Sequence, residues 1–277
     1  MRTGRRDEGV VSEADIRNRT TDQGAVAFDP EQPAPVASDG RTIAYQPALD
    51  GVRALAVIAV LLFHAEVPGF GAGYLGVSVF FTLSGYLITS LLATEMDRDG
   101  SVSLTAFYAR RARRLVPASL LVVVLVIAAR SLTDWFDAVD SLRSQAIGSL
   151  LQVANWVFLA GGGSYQELLE QSVGTASPLE HYWSLAIEEQ FYWIWPVAFV
   201  GLRRVGKTPR GHIVAVVAVT TAAAVAAPVI AAVWGADAAY WSTPARIAEI
   251  LLGAVAALVL RRHPVGRGWA LLAPLAL

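Results

Sequence analysis

Residues Val52–Phe63 read VRALAVIAVLLF and are followed directly by His64. Arg53 is the one charged residue in this run, which is otherwise apolar enough for the core of a lipid bilayer. A helix makes about three turns between Arg53 and His64, so the two are expected on one face, roughly 16 Å apart along the axis. Ionisable groups inside a span usually face a bundle interior or a water-filled cavity. The pair is therefore a candidate functional site, with an anchoring arginine and a structural histidine as the alternatives.

The composition of the chain is that of a polytopic membrane protein. Its 277 residues are 55% hydrophobic and 16% charged, with a mean hydropathy of +0.47, whereas soluble domains carry about 25% charged residues. A net charge of −1 gives no general attraction to nucleic acid. The absence of cysteine excludes disulfides, thiolate metal sites and a cysteine nucleophile. The histidines, at positions 64, 181, 212 and 263, lack zinc-ligand spacing, so no metal is expected.

The apolar runs predict an all-α fold, a polytopic transmembrane helix bundle with about seven or eight spans. The candidate spans are Pro47–Ala65, Tyr74–Ala93, Leu115–Ser131, Phe191–Leu202, Ile213–Trp234, Pro244–Leu260 and a run that begins near Trp269. The apolar segment Ala146–Ala160 is shorter and carries Gln152 and Asn155. We predict that this segment is a re-entrant or surface helix and does not cross the membrane.

The distribution of positive charge predicts the orientation. Residues 1–44 are polar and mixed in charge, which predicts a disordered tail, and its arginines indicate that it is cytoplasmic. Residues 45–277 then form the transmembrane domain. If segment 146–160 does not cross, the basic clusters at 110–114, 203–210 and 261–267 all face the cytoplasm, and residues 132–182 form an acidic extracytoplasmic region. We therefore expect a multi-pass protein of the inner membrane, with Arg53 near the inner face and His64 near the outer face.

Small residues dominate the loop and the span that follow His64. The loop VPGFGAGYLGVS (67–78) is short and rich in glycine, so the chain at the outer face can approach His64 closely. In FFTLSGYLI (80–88), Ser84 and Gly85 are small enough for neighbouring helices to pack tightly. Ser84 as a nucleophile is the alternative, but the sequence places no base beside it and its flanks do not form a nucleophile elbow.

A basic cluster, FYARRARRLVPA (107–118), stands at the inner mouth of the third predicted span. Its arginines are Arg110, Arg111, Arg113 and Arg114. They can be an anchor of the positive-inside type. They can also be a phosphate site, because arginine forks match phosphate oxygens and residues one turn apart are neighbours on a helix. The chain has no Walker or dinucleotide-binding glycine loop, so a kinase-like or Rossmann site is not supported.

The stretch SPLEHYWSLAIEEQFYWIWP (177–196) places polar residues on one helical face. His181, Ser184, Glu188 and Tyr192 follow one another at steps of three, four and four. This face predicts a cleft at the outer end of a span, where a hydroxylated substrate meets an acid–base group. The aromatic residues of the stretch are predicted to form an interfacial belt. They are Trp183, Phe191, Trp193 and Trp195.

These segments together resemble membrane acyltransferase family 3, the bacterial O-acyltransferases that modify surface polysaccharides, lipopolysaccharide and cell-wall glycans. The matching stretches, in family order, are DGVRALAVIAVLLFH (50–64), GVSVFFTLSGYLIT (76–89), FYARRARRLVPA (107–118), PLEHYWSLAIEEQFYWIWP (178–196) and YWSTPARIAEILLGA (240–254). In the last stretch Arg246 and Glu249 lie at i and i+3, which predicts a local ion pair or, alternatively, a contact with substrate.

The resemblance implies a bundle of about ten spans, an acyl-coenzyme A donor (by default acetyl-coenzyme A) on the cytoplasmic side, and a carbohydrate or glycolipid hydroxyl as acceptor on the outer side. It implies that Arg53 and His64 are the essential pair, joined at the outer motif by His181 and Glu188. The donor's phosphates are expected at Arg110, Arg113 and Arg114. Substrate contacts are expected at Ser184, Tyr192, Arg246 and Glu249. The chain ends at Leu277, so the family's remaining spans are expected to be absent.

Two mechanisms remain open for His64. It can act as a general base on the acceptor hydroxyl, because histidine suits proton transfer near neutral pH, or it can carry the acyl group covalently. Two other functions are also open. One is a transporter or translocase with a buried histidine–arginine path, although the chain has none of the internal repeats typical of that class. The other is an inactive, truncated remnant of an acyltransferase.

Overall fold

The fold is given by a computed structural model that describes residues 46–134, 136, 137, 139, 141–162 and 177–263. Every regular element in these residues is a helix, which confirms the all-α prediction. The helices are α1 (Pro47–His64), α2 (Leu75–Asp99), α3 (Leu104–Leu132), α4 (Leu142–Leu150), α5 (Ala154–Ala160), α6 (Tyr182–Gly206), α7 (Pro209–Trp234), α8 (Ala236–Trp241) and α9 (Thr243–Arg262). The predicted tail at 1–44 and the predicted span near Trp269 lie outside the described residues.

Five stretches in the described part of the chain are long and apolar enough to cross a membrane. They are α1, α2, α3, α7 and the combined length of α8 and α9. This is fewer than the seven or eight spans predicted from the sequence. The predicted span Phe191–Leu202 lies within α6, whose hydropathy is lowered by Glu188, Glu189 and Gln190. At 25 residues, or about 37 Å, α6 is still long enough to cross.

The helices run up and down, and their ends carry residues that suit a helix start or a turn. Proline stands in the first turn of α1, α7 and α9, where its missing N–H costs no hydrogen bond. At the end of α2, Gly100 adopts a left-handed conformation with φ of 68°. The last turns of α2, α6 and α9 lie close together, and we call this the arginine end. The opposite end, where α1 finishes and α2 and α6 begin, is called the His64 end.

Two glycines let α2 and α9 pack backbone to backbone. A Cβ atom added to Gly85 would lie 1.8 Å from the carbonyl oxygen of Ile250, and one added to Gly253 would lie 1.8 Å from that of Thr82. The predicted role of Gly85 in close packing is confirmed. The glycine-rich loop also approaches α1, because a Cβ atom on Gly73 would lie 2.2 Å from the carbonyl oxygen of Ala59.

The aromatic residues of α6 mostly form the core, so the prediction of an interfacial belt is wrong for three of the four. Trp183, Phe191 and Trp195 are buried, and Trp193 is exposed. The Nε1–H group of Trp195 donates to the hydroxyl of Thr89 at 2.9 Å. The physical reason is that α6 is a central helix that contacts α2, α3, α5, α7 and α9, so aromatic rings on most of its faces are covered.

The segment predicted not to cross is not among the stretches that are long and apolar enough to span. It forms two short helices, α4 and α5, which pack together and against α6. Asn155 is fully buried, and its amide donates to the carbonyl of Trp241 at 3.0 Å and to the hydroxyl of Thr243 at 3.1 Å. Gln190 of α6 donates to Asn155 Oδ1 and to the carbonyl of Gln152, both at 2.9 Å. These hydrogen bonds of side-chain amides hold the segment inside the bundle at the level of the middle of α6.

Candidate functional site

His64 is the last residue of α1 and presents one ring nitrogen to the surroundings. Its Nδ1 atom lies 2.8 Å from the carbonyl oxygen of Val60 in the same helix. A carbonyl can only accept, so Nδ1 carries the hydrogen and Nε2 of the neutral ring carries the lone pair. The residue is exposed. No hydrogen bond to Nε2 is seen within the described residues, so this atom can take a proton from a bound molecule.

Arg53 shares α1 with His64, as the sequence predicts, but the two side chains do not meet. They are separated by roughly 16 Å of helix. Arg53 lies 3.6 Å from the carboxylate of Asp50 and is partly exposed, which makes this a weak pair. The structure thus places one basic group toward the arginine end of α1 and the other at the His64 end.

The turn that leads into α6 brings two further titratable groups to the His64 end. Burial raises the pKa of the Glu180 carboxyl, and the nearby positive charge of His64 opposes that rise. Burial lowers the pKa of His181, although part of its ring is exposed, so the neutral imidazole is favoured. Glu180 was missed by the sequence analysis, because its relation to His64 spans more than a hundred residues of chain. The opposite charges make it a suitable partner for a protonated His64.

A cavity of about 600 Å³ opens at the His64 end between α1, α2 and α9. Its walls include Phe63, Tyr74 and Tyr240, together with Arg246 and Glu249. The predicted ion pair is confirmed, with 2.9 Å between Arg246 and Glu249. Within the described residues, the Nε atom of Arg246 and the Oε2 atom of Glu249 are buried without a hydrogen-bond partner. Aromatic walls with unused polar atoms suit a hydroxylated ring.

A buried polar layer crosses the bundle below this cavity. Glu188 Oε2 accepts hydrogen bonds from the hydroxyls of Ser84 at 2.7 Å and Tyr192 at 3.0 Å. Glu188 and Tyr192 thus share a face, as the spacing predicts. Tyr192 is buried and its hydroxyl is used by Glu188, so we interpret it as a structural partner and no longer as a substrate contact. Ser84, predicted to serve packing alone, holds this carboxylate as well.

The same layer contains an ion pair between α3 and α6 that the sequence analysis did not single out. Arg111 Nη2 lies 2.8 Å from Glu189 Oε1, and its Nε–H donates to the same carboxylate at 3.1 Å. The Arg111 guanidinium also lies 3.2 Å from the ring centroid of Tyr192. Arg111 is therefore engaged in contacts with α6, and in this it differs from the other arginines of its cluster.

The remaining arginines of the cluster lie on a different side of α3 from Arg111. Arg110, Arg113 and Arg114 are exposed, and Arg110 makes a long 3.8 Å contact with Glu95. On a helix these three fall within an arc of about 100°, with Arg111 about 60° beyond its edge. No ion pair to Arg113 or Arg114 is seen among the described residues. Three guanidinium groups are thus presented together at the arginine end.

The predicted outer motif is only partly assembled. Ser184 donates to the carbonyl of His181 at 3.3 Å, so these two residues lie together at the start of α6. Glu188 lies about 10 Å further along the helix from His181 and belongs to the buried layer. In the described part of the chain, no three histidine, aspartate or glutamate side chains are grouped to hold a metal ion.

Matches found in comparisons with known proteins are described as acyltransferases or O-acetyltransferases. A family described as "Acyltransferase domain" matches residues 46–277. The chain is 39% identical over 217 residues to the peptidoglycan O-acetyltransferase OatA of Listeria monocytogenes, covering 78% of this chain and 34% of the relative. It is 37% identical over 217 residues to the putative peptidoglycan O-acetyltransferase YrhL of Bacillus subtilis, covering 78% of this chain and 33% of the relative. The chain thus spans about a third of the length of these relatives. No solved structure matches the chain.

Proposed function

The chain belongs to the acyltransferase 3 family, and from this premise we propose that it transfers an acetyl group from acetyl-coenzyme A to a carbohydrate hydroxyl of peptidoglycan. The acceptor is chosen because two of its relatives are named as peptidoglycan O-acetyltransferases. The lipopolysaccharide acceptor suggested by the resemblance has no such support. The single observation that carries the proposal is the free Nε2 of His64 at the end of the bundle that also holds the cavity beside Arg246.

The donor is proposed to bind at the arginine end. Arg110, Arg113 and Arg114 are exposed on one side of α3, and their planar forks suit the phosphates of coenzyme A. The multi-pass chain is proposed to place this end in the cytoplasm, because basic residues cluster there. Arg53 lies on α1 between the arginine end and His64, and it is proposed to contact the pantetheine arm. The roughly 16 Å from Arg53 to His64 lets one extended donor touch both residues.

The acceptor is proposed to bind at the His64 end. Its sugar ring would stack on Tyr74 and Tyr240, and its hydroxyls would satisfy the unused polar atoms of Arg246 and Glu249. Ser184 and His181, at the rim, are proposed as further contacts with the glycan. In this arrangement the donor and the acceptor enter from opposite ends of α1, and their reacting groups meet at His64.

The chemical step is proposed to use His64 Nε2 as a general base. It takes the proton of the acceptor hydroxyl as the oxygen attacks the thioester carbonyl, and the carbon–sulfur bond then breaks. The leaving thiolate recovers that proton from the imidazolium. The carboxylate of Glu180 would stabilise the imidazolium in between, since their charges are opposite. Attack by Nε2 itself, giving an acyl-histidine that the hydroxyl then resolves, is the alternative.

Labelled donor tests the function and its sidedness together. Inverted membrane vesicles expose the cytoplasmic face, so acetyl-coenzyme A labelled in the acetyl group should label a muropeptide acceptor enclosed in them. Right-side-out vesicles given the same donor outside should yield no labelled acceptor, because the donor cannot reach the arginine end. Uptake of label without an acetylated product would instead identify a transporter and overturn the proposal.

Loss of the donor-binding arginines should weaken donor affinity. In the double variant Arg113→Gln/Arg114→Gln, we expect the dissociation constant for coenzyme A to rise about tenfold or more, because charge-assisted hydrogen bonds to phosphate are lost. The matched control is Arg143→Gln, an exposed arginine of α4 outside the cluster. Isothermal titration with purified protein measures both. Unchanged affinity in the double variant would leave the cluster as a membrane anchor only.

A further inference from the structure

A second cavity lies at the arginine end, on the side of α2 that faces α7 and α9. Its volume is about 520 Å³, and it is lined by the last turns of α2, α6 and α9 and the first turn of α7. The polar groups on its wall are Asp97, Arg203, His212, Arg261 and Arg262. None of the arginines at 110–114 is among its lining residues. The proposed donor site therefore does not account for this cavity.

His212 gives the cavity a buried polar atom without a partner. Its side chain is only 4% exposed, and its Nε2 atom has no hydrogen-bond partner in the part of the chain that the structure describes. The ring packs edge-on against Phe199, with 4.8 Å between the centroids. The backbone N–H of His212 donates to the carbonyl of Thr208 at 2.9 Å, which fixes the residue in the first turn of α7. An imidazole nitrogen held in this way can donate a hydrogen bond to a ligand oxygen.

The charges around His212 are unbalanced in favour of an anion. Asp97 is the one carboxylate among the described residues that line the wall, and it is already paired with Arg261 at 2.6 Å. Arg261 also donates to the hydroxyl of Thr94 at 2.8 Å. Arg203 and Arg262 make no ion pair in the described part of the chain, so they remain as the uncompensated cations of the cavity. Two guanidinium forks and a buried imidazole are a donor set that matches the several oxygens of a phosphate group.

We propose that this cavity is a second phosphate-binding site, held by Arg203, His212 and Arg262. Two sources carry the required chemistry. One is the headgroup of an anionic phospholipid, whose chains would lie along the apolar outer surfaces of α7 and α9. The other is a soluble phosphate monoester in the cytoplasm. The site does not depend on acetyl transfer, because nothing in the argument uses the acyl donor or the acceptor.

Binding measurements on the full chain in detergent test the site and identify the source. The probes are short-chain phosphatidic acid and glycerol 3-phosphate, which carry the same phosphate monoester with and without acyl chains. We expect Arg203→Gln and Arg262→Gln each to raise the dissociation constant of the bound probe about tenfold. The matched control is Arg204→Gln, the exposed neighbour of Arg203 that does not line the cavity, and it should change affinity less than twofold.

Every outcome of this experiment decides the proposal. Binding of phosphatidic acid alone supports a lipid headgroup, and binding of both probes, or of glycerol 3-phosphate alone, supports a site for phosphate itself. His212→Phe should also weaken binding of the probe. If this buried substitution prevents folding, the variants of Arg203 and Arg262 are sufficient for the test. The proposal is overturned if neither probe binds, or if Arg204→Gln weakens binding as much as Arg203→Gln does.

Discussion

Replacement of His64 by alanine is expected to reduce acetyl transfer about 10²–10⁴-fold, the usual contribution of a general base. The substitution removes the Nε2 lone pair, which the neutral ring carries because Nδ1 donates to the carbonyl of Val60. Because His64 is exposed and bonds only to its own helix among the described residues, the fold should be retained. Transfer from labelled acetyl-coenzyme A to a muropeptide acceptor, measured in inverted vesicles, gives the rate.

His263→Ala is the matched control, because His263 is an exposed histidine at the arginine end. It should retain nearly full activity. Thermal unfolding of both variants in detergent should match that of the unaltered chain, which separates a chemical effect from misfolding. If His64→Ala keeps full activity, the assignment of His64 is wrong.

The unaltered chain distinguishes the two proposed mechanisms. An acyl-histidine would appear as an added acetyl mass on the peptide that contains His64 when donor is supplied without acceptor. A general base gives no such adduct. Glu180 enters both routes as the partner of the charged ring, so Glu180→Gln should slow transfer while leaving affinity for coenzyme A unchanged.

The long helices α1, α2, α3, α7 and α9 could be predicted from the sequence because each lies in an apolar run of membrane length. The placement of Arg53 and His64 on one helix follows from the same pattern. The count of spans could not be predicted as well, since α6 carries Glu188 and Glu189 in its first half. Burial by neighbouring helices makes those carboxylates tolerable, and hydropathy does not report such burial.

The contacts between distant segments were the part that the sequence could not supply. Spacing shows that the arginines of α3 cover more than one face, but the rotation of α3 against α6 decides which of them turns inward. The structure turns Arg111 inward and leaves exposed Arg110, Arg113 and Arg114, the three arginines at which the donor's phosphates are expected. The partner of His64 was missed for the same reason, because no local pattern links it to Glu180. Trp183 was assigned to an interface because it lies beside the end of a span. That position is typical of aromatic belts and of bundle cores alike, so the sequence does not distinguish the two.

Replacement of Arg111 by alanine is expected to destabilise the folded chain by about 3–5 kcal/mol, because it leaves the carboxylate of Glu189 buried without its cation. For a domain of this size that corresponds to a fall in Tm of about 6–20 °C. The pair is well shielded, with 10% of the Glu189 side chain exposed. The loss of the contact with the Tyr192 ring adds to the effect. Thermal unfolding in detergent, followed by circular dichroism, measures it.

Arg110→Ala is the matched control, one residue away on the same helix. Its contact with Glu95 is long, at 3.8 Å, and its side chain is 41% exposed, so the change in stability should stay within about 1 kcal/mol. The double variant Arg111→Met/Glu189→Leu removes both charges and should recover most of the lost stability, because a well-packed apolar pair can replace a buried ion pair. If Arg111→Ala and Arg110→Ala unfold at the same temperature, the ion pair between α3 and α6 does not stabilise the bundle, and Arg111 belongs with the donor-binding arginines.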